Sequence, residues 1–307
     1  MSAEPLRATL IVATKDRPGE LRRMLASIEA QTSPPAEVVV VDGSREPVEA
    51  VCRDIRAFPV RYVRGVPPSA ARQRNLGLAA AHPESSLIGF FDDDAVLDRP
   101  ALGEMTRFWR DADGTVGGAA FVLENHPAPA WPSLKLTAFA EGAGLYSRRP
   151  GAVAASGFQT MIGRPQSTVF TEWLPSGASV WRREVFARFR FDEWFEGYSY
   201  LEDLDFSYRV GKAYRLAVVA GAGYRHYPAA SGRGSGYAFG VREVLNRVHF
   251  VRKHPELSLR SCRLALAVRL VMTLGLAVRE GNPAQLGRAW GNAVGLAKAA
   301  VIGGSPS

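Results

Sequence analysis

With 307 residues, 47% hydrophobic and 22% charged, the chain is long enough to bury a sizeable core, and its composition excludes disorder as its main state. Its net charge of +8 suits anionic partners, among them a nucleotide diphosphate, a nucleic acid or an acidic membrane surface. The two cysteines, Cys52 and Cys262, fit neither a disulfide framework nor a zinc spacing. The first apolar run is only about six residues, too short for a secretory core or a span, so a cytosolic placement is expected.

Short β-rich runs alternate with helix-like stretches from the start: Thr9 to Ala13, Pro18 to Gln31, Val38 to Asp42, then Pro47 to Ala57. This is the rhythm of a parallel sheet covered by helices, and TLIVA and EVVVVD lack the polar alternation of half-exposed strands. A third strand is predicted at Val60 to Val63, a helix at about Ser69 to Ala81, and a fourth strand at Leu87 to Phe91 that runs into three aspartates. Ligands of open α/β sheets bind outside the carboxyl ends of the strands. That rule gathers Thr14, Asp16, Arg17, Asp42 and Asp92 to Asp94 on one edge of the sheet.

Beyond residue 115 the predicted elements are short strands at Gly117 to Leu123 and Ser179 to Trp181 and a helix at Glu184 to Arg188. Residues 228 to 236, PAASGRGSG, offer almost nothing to pack and predict a mobile loop, a place where lids occur. From about Tyr237 the chain reads as helical, with Leu286, Trp290, Val294 and Val301 forming one apolar stripe. The more apolar stretch Leu264 to Val278 is 15 residues long and contains Arg269, short of the roughly 20 residues a spanning helix needs. Two readings stay open for this region: packing on the rest of the chain, or lying in a membrane interface with flanking arginines as anchors.

Three clusters carry chemistry. Neighbouring carboxylates raise one another's pKa, so Asp92, Asp93 and Asp94 at the end of a buried strand call for a compensating positive charge. A hard divalent cation shared with phosphate oxygens meets that need; a solvated turn capping the helix near Pro100 is the simpler alternative. In YLEDLDFSYR, Glu202, Asp203 and Asp205 open a helix, where they either cap its N-terminus or point one carboxylate into a cleft as a general base. His226 precedes the loop and is either an ordinary polar contact or a third metal ligand.

Taken in order, TLIVATKDRP, VVVVDGS, ARQRNLGL, FFDDDAVL and YLEDLDFSYR resemble the motifs of inverting glycosyltransferases of the GT-A fold, the family 2 type that includes many bacterial glycan-assembly enzymes. The resemblance spans about residues 8 to 230 and implies an α/β fold: a Rossmann-like nucleotide-binding sheet, a smaller acceptor-side sheet and C-terminal helices. It implies a GT-A domain over 1–236, its nucleotide half about 1–115 and its acceptor half about 116–236, followed by a helical region over 237–307. Carried over by position, it implies that Thr14, Asp16, Arg17, Asp42, Arg74, Asn75, Asp92 and Asp93 bind the nucleotide sugar, with Asp42 on the base. Asp94, Asp92 and His226 would hold Mn2+ or Mg2+, Asp203 would be the catalytic base, and Glu202 beside it would contact a sugar. Asn often stands where this chain has Asp16, and the QxxRW signature of processive synthases is absent, which favours single additions.

The implied partners are a nucleotide-sugar donor and a hydroxyl acceptor, whether glycan, lipid-linked or small molecule, in cell-surface glycan or glycolipid synthesis. A membrane surface and a second copy of the chain are further partners the reading admits. FFDDDAV also matches the strand motif of haloacid-dehalogenase-type phosphohydrolases, but two βαβ units precede it here, whereas that motif usually opens its fold. A basic membrane-associated binding protein without catalysis is the non-enzyme alternative. The positive charge reads as spread through the chain and not gathered into an aromatic-studded patch, so nucleic acid is not an expected partner. Trp131, Trp173, Trp181 and Trp194 are candidates for stacking on a sugar or for core packing.

Overall fold

In the computed structural model of the chain, residues 7–125, 138–197, 199–228 and 235–302 are described. Arg233, Trp131 and most of the predicted loop lie outside them. The chain divides into two units, one of Met1–Pro127 with Ile162–Ala229 and one of Ala128–Met161 with Ala230–Ser307. All the candidate site residues belong to the first.

The first unit is built on β1 (Ala8–Thr14), β2 (Glu37–Asp42), β3 (Val60–Arg64) and β4 (Leu87–Asp92), which pair in parallel in the order β3-β2-β1-β4. The apolar runs of β1, β2 and β4 are explained by burial on both faces, while β3, VRYVR, is the partly exposed edge strand. Leu10, Val12, Val38, Val40 and Phe91 enter one core, while Ile11, Val39, Val41, Ile88 and Phe90 enter the other. Helices α1 (Pro18–Glu29) and α4 (Ala101–Asp111) put Leu21, Met24, Leu25, Leu102, Met105 and Trp109 into the first core. Helix α3 (Ala70–Ala80) and the stretch after it put Ala71, Leu78 and Ala81 into the second. The predicted helix from Pro47 to Ala57 shrinks to α2 (Glu49–Arg53).

Past β4 the sheet turns mixed. Strand β8 (Ala178–Arg182) pairs antiparallel with β4 and with β6 (Val116–Leu123), and β6 runs parallel to β9 (Arg215–His226). Two three-residue strands, β5 (Ala95–Leu97) and β7 (Val169–Thr171), pair antiparallel with β9. The predicted helix at Glu184 is a single 3-10 turn, Arg183–Ala187. Helix α6 (Glu202–Gly211) is anchored by Phe206, whose ring lies 4.3 Å from Phe191 and 4.8 Å from Trp181. One helical turn earlier, Glu202 shares that inward face.

Gln73, at the start of α3, is buried and spends its amide on the sheet: Nε2 donates to the Thr14 carbonyl at 2.9 Å and to the Val41 carbonyl at 2.8 Å. It therefore holds the ends of β1 and β2 at fixed spacing.

The second unit contains α5 (Ala138–Gly142), α7 (Gly236–Lys253), α8 (Leu259–Glu280) and α9 (Pro283–Ile302). Ser235 and Ser258 cap α7 and α8 by accepting from the amides three residues on, and Gly281, at φ +56°, ends α8 in the left-handed region that favours glycine. Helix α8 has 22 residues, longer than its apolar stretch. It is the one helix among the described residues long and apolar enough to cross a membrane, by length and composition. Helices α7 and α9 meet backbone to backbone, and a Cβ at Gly240 would fall 2.2 Å from the Arg288 carbonyl oxygen. Such proximity needs glycine on the contact line.

The polar hub of this unit is Glu243, 2% exposed, which accepts from Arg288 at 2.8 and 3.0 Å, Arg269 at 3.2 Å and Asn292 at 3.1 Å. Burial opposes its charge, but Arg288 and Arg269 win and pull its carboxyl down to about 2.

Gln73→Leu leaves two buried carbonyls short of a donor and should cost about 2 kcal/mol in urea unfolding; a loss below about 0.5 kcal/mol would show that Gln73 does not hold the strand ends. Glu243→Gln should cost about 3 kcal/mol near neutral pH by uncovering two partly buried arginines. Because the folded carboxyl titrates below its ordinary value, that stabilisation is full above about pH 4.5 and fades toward pH 2, so the gap between parent and variant should narrow over that window. A gap independent of pH would contradict the charge assignment.

Candidate active site

The carboxyl ends of β1, β2 and β4 converge on the acidic triplet, and each of its members has a different set of partners. Asp93 is buried, accepting from Thr14 Oγ1 at 2.7 Å and from Arg17 Nη1 at 3.1 Å. Burial pushes its carboxyl up to about 6, against the pull of Arg17. Asp94 meets His226 Nε2 through Oδ1 at 2.9 Å and Arg17 through Oδ2 at 3.4 Å. Asp92, the most open of the three, meets Arg74 Nη2 at 2.9 Å. Positive charge beside the triplet is thus supplied from within the chain by Arg17 and Arg74.

The route by which His226 arrives is topological. Antiparallel pairing of β5 with β9 sets Ala95 opposite His226, one residue after Asp94. The Tyr227 amide donates to the Asp94 carbonyl, and Asn125 grips the His226 backbone at both its amide and its carbonyl. Ligand atoms of Asp92, Asp94 and His226 all lie within 4.8 Å of one another, a group that could bind a metal ion. Two carboxylates and an imidazole form a donor set that would suit a divalent cation. The capping alternative fails locally, because Pro100 caps α4 with no side-chain bond.

Arg74 is the keystone beneath the triplet. Its guanidinium is 3% exposed and spans Asp92 on β4 and Glu202 on α6, with its carbon 5.4 Å from the centre of the Phe191 ring. Burial raises the carboxyls of both Glu202 and Asp203 above their ordinary range; Arg74 opposes the rise at each. Asp203 is half-buried, with Oδ1 accepting from the Leu204 amide at 2.7 Å and Oδ2 within 3.4 Å of the Ser176 amide. Leu201, at φ 78°, turns the chain sharply just before this pair, and α6 has no side-chain cap. The acidic run here is spent on Arg74, Ser176 and its own first turn, with Asp205 paired to Arg209 at 2.9 Å.

Other predicted residues fall differently. Asp42 is fully buried and accepts from the Ser44 and Val48 amides, the Tyr62 hydroxyl and Arg64 Nη1 at 2.5 to 3.0 Å, bonds that hold its carboxyl below its usual range despite burial. A base reaching it would have to share or displace one of those donors. Asp16, at φ 54°, ties the loop after β1 to the loop after β2, its carboxylate accepting from the Arg45 amide and its own amide donating to Ser44. Asn75 turns away from the triplet: its amide engages the Phe191 backbone and Glu193. Trp173 and Trp181 are core residues, whereas Trp194 is exposed.

Sequence reasoning passed over Gln73, Tyr224 and Gly177. Tyr224 is buried, and burial with Asp92, Asp203 and Asp94 nearby raises its hydroxyl pKa. At Gly177 the chain passes so near that an added Cβ would lie 3.0 Å from the Tyr224 hydroxyl and 3.5 Å from Asp92, while the Gly177 carbonyl accepts from the Asp92 amide. The glycine in LPSGAS, just ahead of a predicted strand, was the available signal.

Two solved structures share the fold. The mannosyltransferase PcManGT from Pyrobaculum calidifontis, in complex with GDP-Man and Mn2+, superposes with a TM-score of 0.54 at 18% identity, covering 96% of this chain and 86% of that one. GalNAc-T7 with UDP, GalNAc and Mn2+ gives a TM-score of 0.57 at 13% identity, covering 80% of this chain and 48% of that one. No curated protein matches the sequence. Residues 9–164 match the family described as glycosyl transferase family 2, more than half of the chain. The chain belongs to glycosyl transferase family 2, and its α/β sheet is of the GT-A kind.

Proposed function

We propose that this chain is a metal-dependent, inverting glycosyltransferase that moves one sugar from a nucleotide-diphosphate sugar to a hydroxyl acceptor in cell-surface glycan or glycolipid synthesis. The observation that carries the proposal is the juxtaposition of the Asp92–Asp94–His226 corner with Glu202, the neighbour of Asp203 in sequence, through one buried arginine, Arg74, which pairs with both Asp92 and Glu202. A cation bridge and a base are thereby held on one rigid support.

Asp92, Asp94 and His226 would hold Mn2+ or Mg2+. When bound, that cation supplies Lewis-acid stabilisation of the negative charge developing on the departing nucleoside diphosphate. Thr14 and Arg17 fix Asp93 and Asp94 beside it, and Asp42, with Asp16 joining the neighbouring loops, shapes the base side. Asp203 accepts the proton of the acceptor hydroxyl as its oxygen attacks the anomeric carbon; the diphosphate leaves from the opposite face, and one displacement inverts the centre. The upward shift of the Asp203 carboxyl brings its proton affinity nearer the operating pH, as a general base requires. Glu202, fixed by Arg74, positions Asp203 and meets the sugar side.

We assign this chemistry to residues 1–236 and place the protein in the cytoplasm, peripheral on the inner face of a membrane, with residues 237–307 as a helical region.

Asp203→Asn should lower kcat by about 10² to 10⁴-fold while leaving donor affinity nearly unchanged, measured by steady-state kinetics beside calorimetry. Near-normal turnover would remove Asp203 from the role. Asp94→Ala should abolish the Mn2+-dependent part of nucleotide-sugar binding in calorimetry; parental, Mn2+-dependent binding in that variant would refute the metal assignment.

A further inference from the structure

The second unit buries several polar side chains among its apolar ones and leaves large apolar side chains exposed. The buried side chains of α7, α8 and α9 include Glu243, Asn246, Arg247, Thr273 and Asn292. The exposed ones include Leu264, Val271, Leu274 and Val278 of α8 and Leu286, Trp290 and Val301 of α9, at 45% to 76% exposure. Soluble helices ordinarily show the reverse. Along α8 the exposed apolar positions are Leu264, Ala267, Val271, Leu274 and Val278, spaced three, four, three and four residues apart, which places them in one straight stripe. In α5, within the same unit, Phe139 is 79% exposed.

Charge identifies what covers this face. Counting by segment corrects the reading that the positive charge is spread through the chain: residues 237–307 hold ten Lys and Arg against three Glu, which is +7 of the chain's net +8. Two such faces brought together would set like charge against like, whereas an anionic surface would be drawn to each. Exposed arginines bracket the stripe, Arg260 and Arg263 at its start and Arg279 one residue beyond Val278, where long basic side chains can reach headgroups while their stems lie on apolar surface. The stripe runs about 21 Å, at about 1.5 Å per residue, less than the roughly 30 Å of a bilayer's hydrocarbon core. Its geometry is that of a helix lying in the interface plane.

We infer that the α8 stripe is a docking face for an anionic phospholipid bilayer. This deepens the peripheral placement proposed above by naming the surface and the lipid charge, and it does not depend on the identity of the transferred sugar. The face immerses its Leu and Val side chains at the headgroup boundary while its basic residues draw the unit to acidic lipid.

The test is co-sedimentation of the full chain with vesicles of phosphatidylcholine alone or mixed with phosphatidylglycerol, at low and high salt, with no nucleotide sugar present. Binding should require phosphatidylglycerol, weaken with salt, and fall about tenfold or more in the exposed double variant Val271→Glu/Leu274→Glu. Arg260→Gln/Arg279→Gln should lose part of the phosphatidylglycerol dependence and reports on the face even if the first variant does not fold. Failure to sediment with either vesicle, equal sedimentation of parent and both variants, or a dimer in vesicle-free buffer that the glutamate pair dissolves would each overturn the inference. Donor binding measured on the same samples separates a failure of this surface from a failure of the transferase reading.

Discussion

A guanidinium buried to 3% exposure is costly to keep charged unless anions surround it, and Arg74 meets that condition by pairing with Asp92 and Glu202 at once. The two carboxylates come from opposite parts of the chain, one ending the fourth strand and the other opening a helix about 110 residues later. Holding both fixes the distance between the acidic triplet and Asp203. The aromatic cluster of Phe191, Phe206 and Trp181 supports this arrangement from below, since Phe206 sets the inward face of the helix and Phe191 underlies the arginine. Geometry at the site is therefore set by packing in the second core of the sheet as much as by the loops that carry the reacting groups.

Charge management recurs through the molecule in two forms. In the sheet unit, three consecutive aspartates are tolerated because Arg17 and Arg74 sit against them, while His226 makes a 2.9 Å contact with Asp94 and Asp92 is left the most open of the three. In the helical unit, a single glutamate answers two arginines, and the outward faces are left to leucine, valine and tryptophan. The same chain thus uses buried ion pairs in both units, once beneath the acidic triplet and once among the helices.

Strands β1 and β2 were legible because valine and isoleucine runs without alternation have few other uses, β4 because its apolar run ends in the aspartates, and the carboxyl-end rule then placed Asp42 and the triplet on one edge. Strand β9 was not, because Ala217, Ala220, Gly221, Ala222 and Gly223 dilute its β signal, and β5 and β7 have three residues each. That gap matters at the site: pairing of β5 with β9 is what carries His226 to Asp94, so the histidine's place was visible only through resemblance. Within ARQRNLGL, spacing could not tell which of the four consecutive polar residues, Arg72 to Asn75, face inward. Successive helix positions are rotated by about 100°, so Gln73 grips the strand ends, Arg74 the carboxylates and Asn75 the segment after Phe191. The length of α8 was underread because its caps, Ser258 and Gly281, lie outside the apolar run that drew the eye.

The central claim is that the corner formed by Asp92, Asp94 and His226 grips a divalent cation shared with a nucleotide diphosphate. It is tested most directly by anomalous diffraction at the manganese edge from crystals grown with Mn2+ and a nucleoside diphosphate. The account predicts one strong peak at coordination distance from an oxygen of each aspartate and a nitrogen of His226. A peak elsewhere, or none at that corner with the diphosphate bound, would contradict it.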